Sequence, residues 1–200
     1  RRITLAAILL MVLVGLVGGF LWYASDYYPA QDVALAVLAQ DGDSITVQDN
    51  LTILSTQAPS DTALIFYPGA KVEATAYLRM VIFAPNAAQG VMEQFPDIQH
   101  WYLAGHSMGG AMASQFAADH PDQVEGLILL GAYLYGDYPP ADTLTIYGSL
   151  NQSVEDQLDY TENVVEIPGG NHAQFGNYGP QKGDPPASIT AAEQQAETVA

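Results

Sequence analysis

The chain has 200 residues, 49% of them hydrophobic and 14% charged, with no cysteine. It is long enough for one domain with a real core, while a disulfide scaffold, a cysteine-ligated metal centre and a thiol nucleophile are all excluded. Five Lys and Arg stand against 22 Asp and Glu, a formal charge of -17, which repels nucleic acid in the absence of a basic patch, and no such patch is visible.

Arg1-Arg2 leads into Ile3–Tyr23, where Thr4 is the only hydroxyl or charged residue before the aromatic end. As a helix this stretch reaches roughly 31 Å at about 1.5 Å per residue, matching the hydrocarbon core of a bilayer. It is longer than the apolar part of a cleavable signal and continues into Trp22-Tyr23. The expectation is one N-terminal transmembrane helix within residues 1–24, with a cleaved signal segment as the alternative. Trp22, Tyr23, Tyr27 and Tyr28 then form an interfacial belt, and the two arginines favour the cytoplasmic side. The rest lies outside the cell membrane, or is secreted if the segment is cut. From Ser25 onward only Lys71, Arg79 and Lys182 are basic, which keeps that part soluble and off anionic headgroups. The acidic face also suits a cation or a basic partner, a reading carried by charge alone.

Residues 25–43 read as a linker and 44–200 as a single domain. Ser44–Leu54 alternates as a strand pair broken at Asp49-Asn50. Continuous apolar runs at 63–67, 100–104, 126–130, 143–147 and 163–167 suit buried parallel strands, and Met80–Ala84 is a further candidate. Helical or turn-rich stretches separate most of them, the rhythm of an α/β domain whose mostly parallel sheet is covered by helices on both faces. Gly109–His120 reads as a helix stopped by Pro121, and Thr190-x-x-Glu193 as the capping box of a last helix ending near Val199. Residues 179–186 form a Pro/Gly-rich connector. The spacings 67–80 and 147–164 are tight for parallel crossovers.

The chemistry lies in Gly105-His106-Ser107-Met108-Gly109. G-x-S-x-G between a strand and a small-residue helix is the setting of a nucleophile elbow, with the serine in a strained turn at the carboxyl edge of the sheet. Ser107 is the candidate nucleophile. Of His100, His106, His120 and His172, only His172 follows the last apolar strand, late in the chain, where the order Ser, acid, His puts the base. The other three read as structural.

The stretches IFYPGAKVE (65–73), FAPNAA (83–88), GHSMGGAMASQFAADHPDQVEGLILLGAY (105–133), LTIYGS (144–149) and GGNHAQFGNYGPQKGD (169–184), behind an apolar N-terminus, resemble a membrane-anchored bacterial α/β-hydrolase of the dienelactone-hydrolase-like group. The resemblance implies the α/β-hydrolase fold, with a longer helix and a further strand near 77–82. It implies an oxyanion hole from the N–H of Met108 with that of Gly69 or Ala70. It also implies an acid in a G-x-x-D arrangement after the strand 143–147, where this chain has Asn151. Asp156 or Glu155 a turn further on, or Asp137 after the preceding strand, are the alternative sources of the acid, while Glu155, Asp156 and Asp159 also read as a solvated helix face. Dienelactone hydrolases use a cysteine, so their lactone activity does not carry over to a serine.

The short connection from Leu130 to Thr143 leaves no room for a large cap domain. Tyr133, Tyr135 and Tyr138 on it suit either a substrate pocket or surface packing. The functional expectation is a serine hydrolase that cleaves a small-molecule carboxylic ester through an acyl-enzyme, with no cofactor and no metal. A thioesterase or peptidase uses the same constellation. The alternative is a catalytically impaired hydrolase-fold binding or scaffold protein at the cell surface, suggested by Asn151. Oligomeric state is not legible.

Overall fold

The computed structural model describes residues 2–40, 45–48, 51–54, 60–77 and 88–200. The short apolar runs form β3 (Thr62–Tyr67), β4 (His100–His106), β5 (Gly126–Leu130), β6 (Thr143–Gly148) and β7 (Val164–Ile167). These make one five-stranded sheet, parallel throughout and ordered as in the sequence. A separate antiparallel pair, β1 (Ile45–Gln48) and β2 (Leu51–Leu54), is the strand pair expected over 44–54. The candidate strand Met80–Ala84, and with it the expected further strand near 77–82, falls largely or wholly outside the described residues.

Alternate residues of each strand face opposite ways, and both sets are buried. Ile65, Tyr67, Trp101, Leu103, Leu127 and Leu129 pack with Ala88 and Val91 of α3 (Ala88–Gln94) and Ala113 and Ala117 of α4 (Met108–Asp119). Phe66, Ala104, Leu130, Ile146 and Ile167 pack with Tyr77 and Phe175 from two short 3₁₀ turns, with Val37 of α2 (Asp32–Gln40) at the margin. Because the sheet is covered on both faces, the inner strands β4 and β5 read as nearly continuous apolar runs, while the edge strand β7 keeps Val165 and Glu166 exposed.

Helix α4 ends just before Pro121, as expected of a residue that cannot continue a helix. The last helix, α6 (Ala191–Thr198), carries the capping box: Thr190 accepts from Glu193 N–H at 3.2 Å, and Glu193 accepts from Thr190 N–H at 2.7 Å. The connection 149–163 holds only the single-turn α5 (Gln152–Glu155), yet β6 and β7 pair in parallel across it. The tight spacing is thus met by a loop and one turn instead of a full helix.

Two findings concern the N-terminal part. Residues Arg2–Ser25 form a 24-residue helix, α1, whose side chains from Ala7 to Tyr23 are exposed. Among the described residues no helix is long and apolar enough to cross a membrane. The structure thus supports a helix over these residues, and the expected transmembrane segment is not supported by it. Residues 26–31, expected within a linker, are hydrogen-bonded into the domain: Tyr28 N–H donates to Lys71 O at 2.7 Å, Glu73 N–H to Tyr28 O at 2.9 Å, and Gln31 N–H to Asn177 O at 2.8 Å.

Candidate active site

Ser107 sits between β4 and α4 with φ 57° and ψ -126°, a backbone state that costs a non-glycine residue of order 1–3 kcal/mol. Its N–H donates to Leu130 O at 3.0 Å and its carbonyl accepts from Ala111 N–H at 3.3 Å, which ties the turn to β5 and to the first turn of the helix. A serine at a helix N-cap ordinarily spends its hydroxyl on the N–H groups of that turn. Ser107 makes no such capping bond. Gly109 permits the geometry: a Cβ there would lie 2.2 Å from Tyr67 O, so only glycine lets α4 begin directly on β3.

His172 follows β7 on a loop gripped from three sides. Fully buried Gln194 of α6 accepts from Asn171 N–H at 3.0 Å and donates to Asn171 O at 2.8 Å. Asp184 accepts from His172 N–H at 3.2 Å and from Ala173 N–H at 2.7 Å. The third grip is the loop after β6, since Leu150 N–H donates to Gly170 O at 3.0 Å and a Cβ on Gly148 would meet Gly170 C at 2.3 Å. This backbone-to-backbone contact carries Asn151 to the base, with Asn151 Nδ2 2.9 Å from His172 Nδ1. Asn151 Oδ1 accepts from Ser153 Oγ at 2.8 Å. Neither Asp156 nor Glu155 contacts His172 among the described bonds; both accept from Gln152 in solvent. Asp137 is exposed on the loop after β5.

His106 occupies the turn position before Ser107 and is fully buried. Its Nε2 lies 2.9 Å from His172 O, a group that only accepts, so Nε2 carries the hydrogen and Nδ1 accepts from Tyr77 Oη at 2.7 Å. Tyr77 Oη in turn accepts from Gly69 N–H at 3.2 Å. Gly69 N–H, one of the two expected oxyanion donors, thus bonds to Tyr77. Ala70 N–H and Met108 N–H make no bond among those described. No hydrogen bond joins Ser107 to His172 among the described residues, although the His172 ring is only 4.6 Å, centroid to centroid, from His106 next door.

Burial dominates the electrostatics. It drives His106 well below the ordinary histidine range, helped by the neighbouring His172, so His106 is neutral at physiological pH. Burial also pushes His172 down, with Asp184 pulling the other way, and holds the Tyr77 phenol up and neutral. His100 pairs with Glu125 and His120 stacks on Phe116, both away from Ser107. Tyr138 is buried with its hydroxyl on Val124 O, a packing role, while Tyr135 is exposed. Among the described residues no three metal-ligating side chains converge. Tyr77, Asp184 and Gln194 were not legible as site residues. The one signal for Asp184 was its place at the end of the 169–184 stretch.

Residues 78–196 match the Alpha/beta hydrolase family. A 64-residue stretch is 41% identical to a pyrethroid hydrolase of Sphingobium wenxiniae, covering 32% of this chain and 23% of that protein. A 58-residue stretch is 33% identical to a serine hydrolase-like protein of Danio rerio, covering 29% of this chain and 17% of that one. The matches thus span less than a quarter of either relative. The crystal structure of a membrane phospholipase A, described as a bacterial virulence factor, overlaps 81% of this chain and 90% of its own at 16% identity and a TM-score of 0.38.

Proposed function

The chain belongs to the alpha/beta hydrolase family, and from that premise we propose that it is a serine hydrolase that cleaves carboxylic esters through an acyl-enzyme. The observation that carries this reading is Ser107, a strained N-cap serine whose hydroxyl makes no capping bond at the carboxyl edge of the sheet, one residue from the ring that packs on His172. Ser107 Oγ attacks the ester carbonyl while His172 Nε2 takes its proton. Met108 N–H and Ala70 N–H donate to the developing oxyanion, the former at the positive end of α4. The tetrahedral intermediate collapses as His172 returns the proton to the leaving alcohol, and water repeats the sequence on the acyl-serine. Resemblance to the dienelactone-hydrolase-like group accords with this order of residues.

For Nε2 to accept a proton, Nδ1 must carry one. The Asn151 amide allows this when turned about its last bond, because Oδ1 then accepts from Nδ1–H and Nδ2 donates to the Ser153 hydroxyl, which both donates and accepts. In the opposite orientation Nδ2 donates to Nδ1, the hydrogen sits on Nε2, and the base is blocked. That orientation is the specific observation in favour of the second reading, a catalytically impaired binding or scaffold protein.

Labelling of the full chain by a fluorophosphonate separates the two. Covalent labelling that Ser107→Ala and His172→Ala both abolish is the expected result. A folded wild-type chain that stays unlabelled would leave only the impaired reading.

We further propose that α1 anchors the protein to a membrane with the acidic domain on the outer side. The apolar sequence of Ile3–Tyr23 and the exposed side chains of Leu9, Leu13, Leu16 and Phe20 support it.

A further inference from the structure

In a catalytic triad the acid does two jobs through one atom: it orients the imidazole at Nδ1 and stabilises the imidazolium formed when the base takes the serine's proton. Asn151 reaches Nδ1 but carries no charge. The groups facing His172 from its neighbours are neutral as well. They are His106 from β4, and, beyond it, Tyr77 from the 3₁₀ turn 74–77 and Tyr178 from the loop after His172, both phenols held up mainly by burial. Glu155 and Asp156 of α5 are engaged with Gln152 in solvent. One carboxylate among the described residues bonds to His172, and it does so from the backbone side. Asp184 accepts from His172 N–H at 3.2 Å and from Ala173 N–H at 2.7 Å.

The carboxylate is itself fixed. Asp184 N–H donates to Gln181 O at 3.1 Å, closing a turn through Gly183, whose φ of 90° suits glycine. The next residue, Pro185, offers its carbonyl to Asn171 Nδ2 at 2.8 Å, so the connector is bound back to the residue before the base. Each Asp184 oxygen has a backbone donor.

Resting on the reading of His172 as the base, we propose that Asp184 is its positioning residue: the carboxylate grips the His172 backbone and supplies from behind the ring the negative charge that Asn151 withholds in front of it. When Ser107 Oγ passes its proton to His172 Nε2, both ring nitrogens carry hydrogen and the ring is positive. Asp184 faces that charge across His172's own backbone, without bonding to the ring and without exchanging a proton. The two jobs of the usual acid are thereby divided between two residues. The direction in which Asp184 moves the His172 equilibrium, toward the protonated form, agrees with this division.

The test is a histidine titration by NMR on the full chain in detergent micelles, with the His172 ring signal assigned by its loss in His172→Gln. In Asp184→Asn, which keeps one oxygen for the backbone, the His172 midpoint moves to lower pH while His100 and His120 titrate as before. Asp184→Glu, which keeps the charge, restores the midpoint. The acid limb of the labelling or turnover rate moves with it. An unmoved His172 midpoint in folded Asp184→Asn overturns the proposal and leaves Asp184 a purely structural clasp. Should Asp184→Asn fail to fold, Asp184→Ser, which keeps a hydroxyl oxygen for the backbone and removes the charge, is titrated in its place, and an unmoved His172 midpoint there overturns the proposal. The titration needs no substrate. A shifted midpoint in an unlabelled protein therefore fails the hydrolase reading alone, and an unshifted midpoint in a labelled one fails this proposal alone.

Discussion

At residue 151 a single atom decides whether His172 is a base. An amide presents one acceptor and one donor where a carboxylate presents two acceptors, so Asn151 holds the productive tautomer only in one of its two orientations, and without charge. In serine proteases the corresponding acid-to-amide change costs about 10⁴ in turnover, which sets the ceiling for what the reverse change can return here. Asn151→Asp is expected to raise kcat by at least about tenfold with little change in KM, because the gain belongs to the transition state and not to substrate binding. Ester turnover or the rate of fluorophosphonate labelling reads it. An unchanged rate would mean that the amide oxygen already accepts from Nδ1–H and that Asp184 carries the electrostatic work. Ser153 is the partner to watch, since its hydroxyl serves either orientation of the amide.

The elements explain how so short a chain holds these residues together. The segment between α1 and α2 is a strap that joins the turn after β3 to the loop after β7. Tyr28 pairs with Val72 in an isolated parallel bridge, accepts from Lys182 N–H at 3.1 Å, and packs its ring 5.6 Å from that of Tyr178. Ala30 N–H donates to Glu73 at 3.0 Å, and Lys71 pairs with Asp26 at 2.9 Å. Tyr28→Ala is expected to cost about 2 kcal/mol, below the roughly 3–5 kcal/mol for loss of a fully buried aromatic side chain, because Tyr28 is half-buried. Urea denaturation reads this as a lower midpoint at unchanged slope, and a midpoint within error of wild type would mean the strap is not bound in solution. The strap was not legible in the sequence because Asp26–Gln31 has neither period 2 nor period 3.6, and its bonds go to residues far along the chain. The same physics hid Tyr77, whose value lies in meeting His106 across the fold. The five sheet strands, α4 and the capping box of α6 were legible because each is written locally, as an apolar run, a proline stop or a Thr-x-x-Glu spacing. Ser107, Asn151 and His172 were proposed for the same reason, as residues tied to strand ends. The bond from Gly69 N–H to Tyr77 was not legible, since a backbone N–H shows no preference in sequence for the partner that takes it.

For the whole molecule the question is how an acidic body and an apolar helix share one chain. From Ser25 onward three basic residues stand against all 22 acidic ones, and the two arginines at the other end of α1 are the remaining cations. The body is repelled by anionic headgroups, so any membrane attachment has to come from burial of the α1 side chains. Exposed Leu9, Leu13, Leu16 and Phe20 alone offer apolar area at about 25 cal/mol per Å², while the body's charge contributes only a screened surface repulsion that fades within about 10 Å at 0.1 M salt. The anchor proposal requires that the apolar term win at physiological salt. The full chain is therefore expected to float with phosphatidylcholine vesicles in a density gradient, and equally well at 0.1 and 0.5 M salt. Vesicles enriched in phosphatidylserine should capture it no better, whereas a chain lacking residues 1–24 should remain at the bottom with either lipid. Flotation of the shortened chain would locate the attachment in the body and sink the anchor proposal. Failure of the full chain to float would reduce α1 to a helix that meets some other apolar surface.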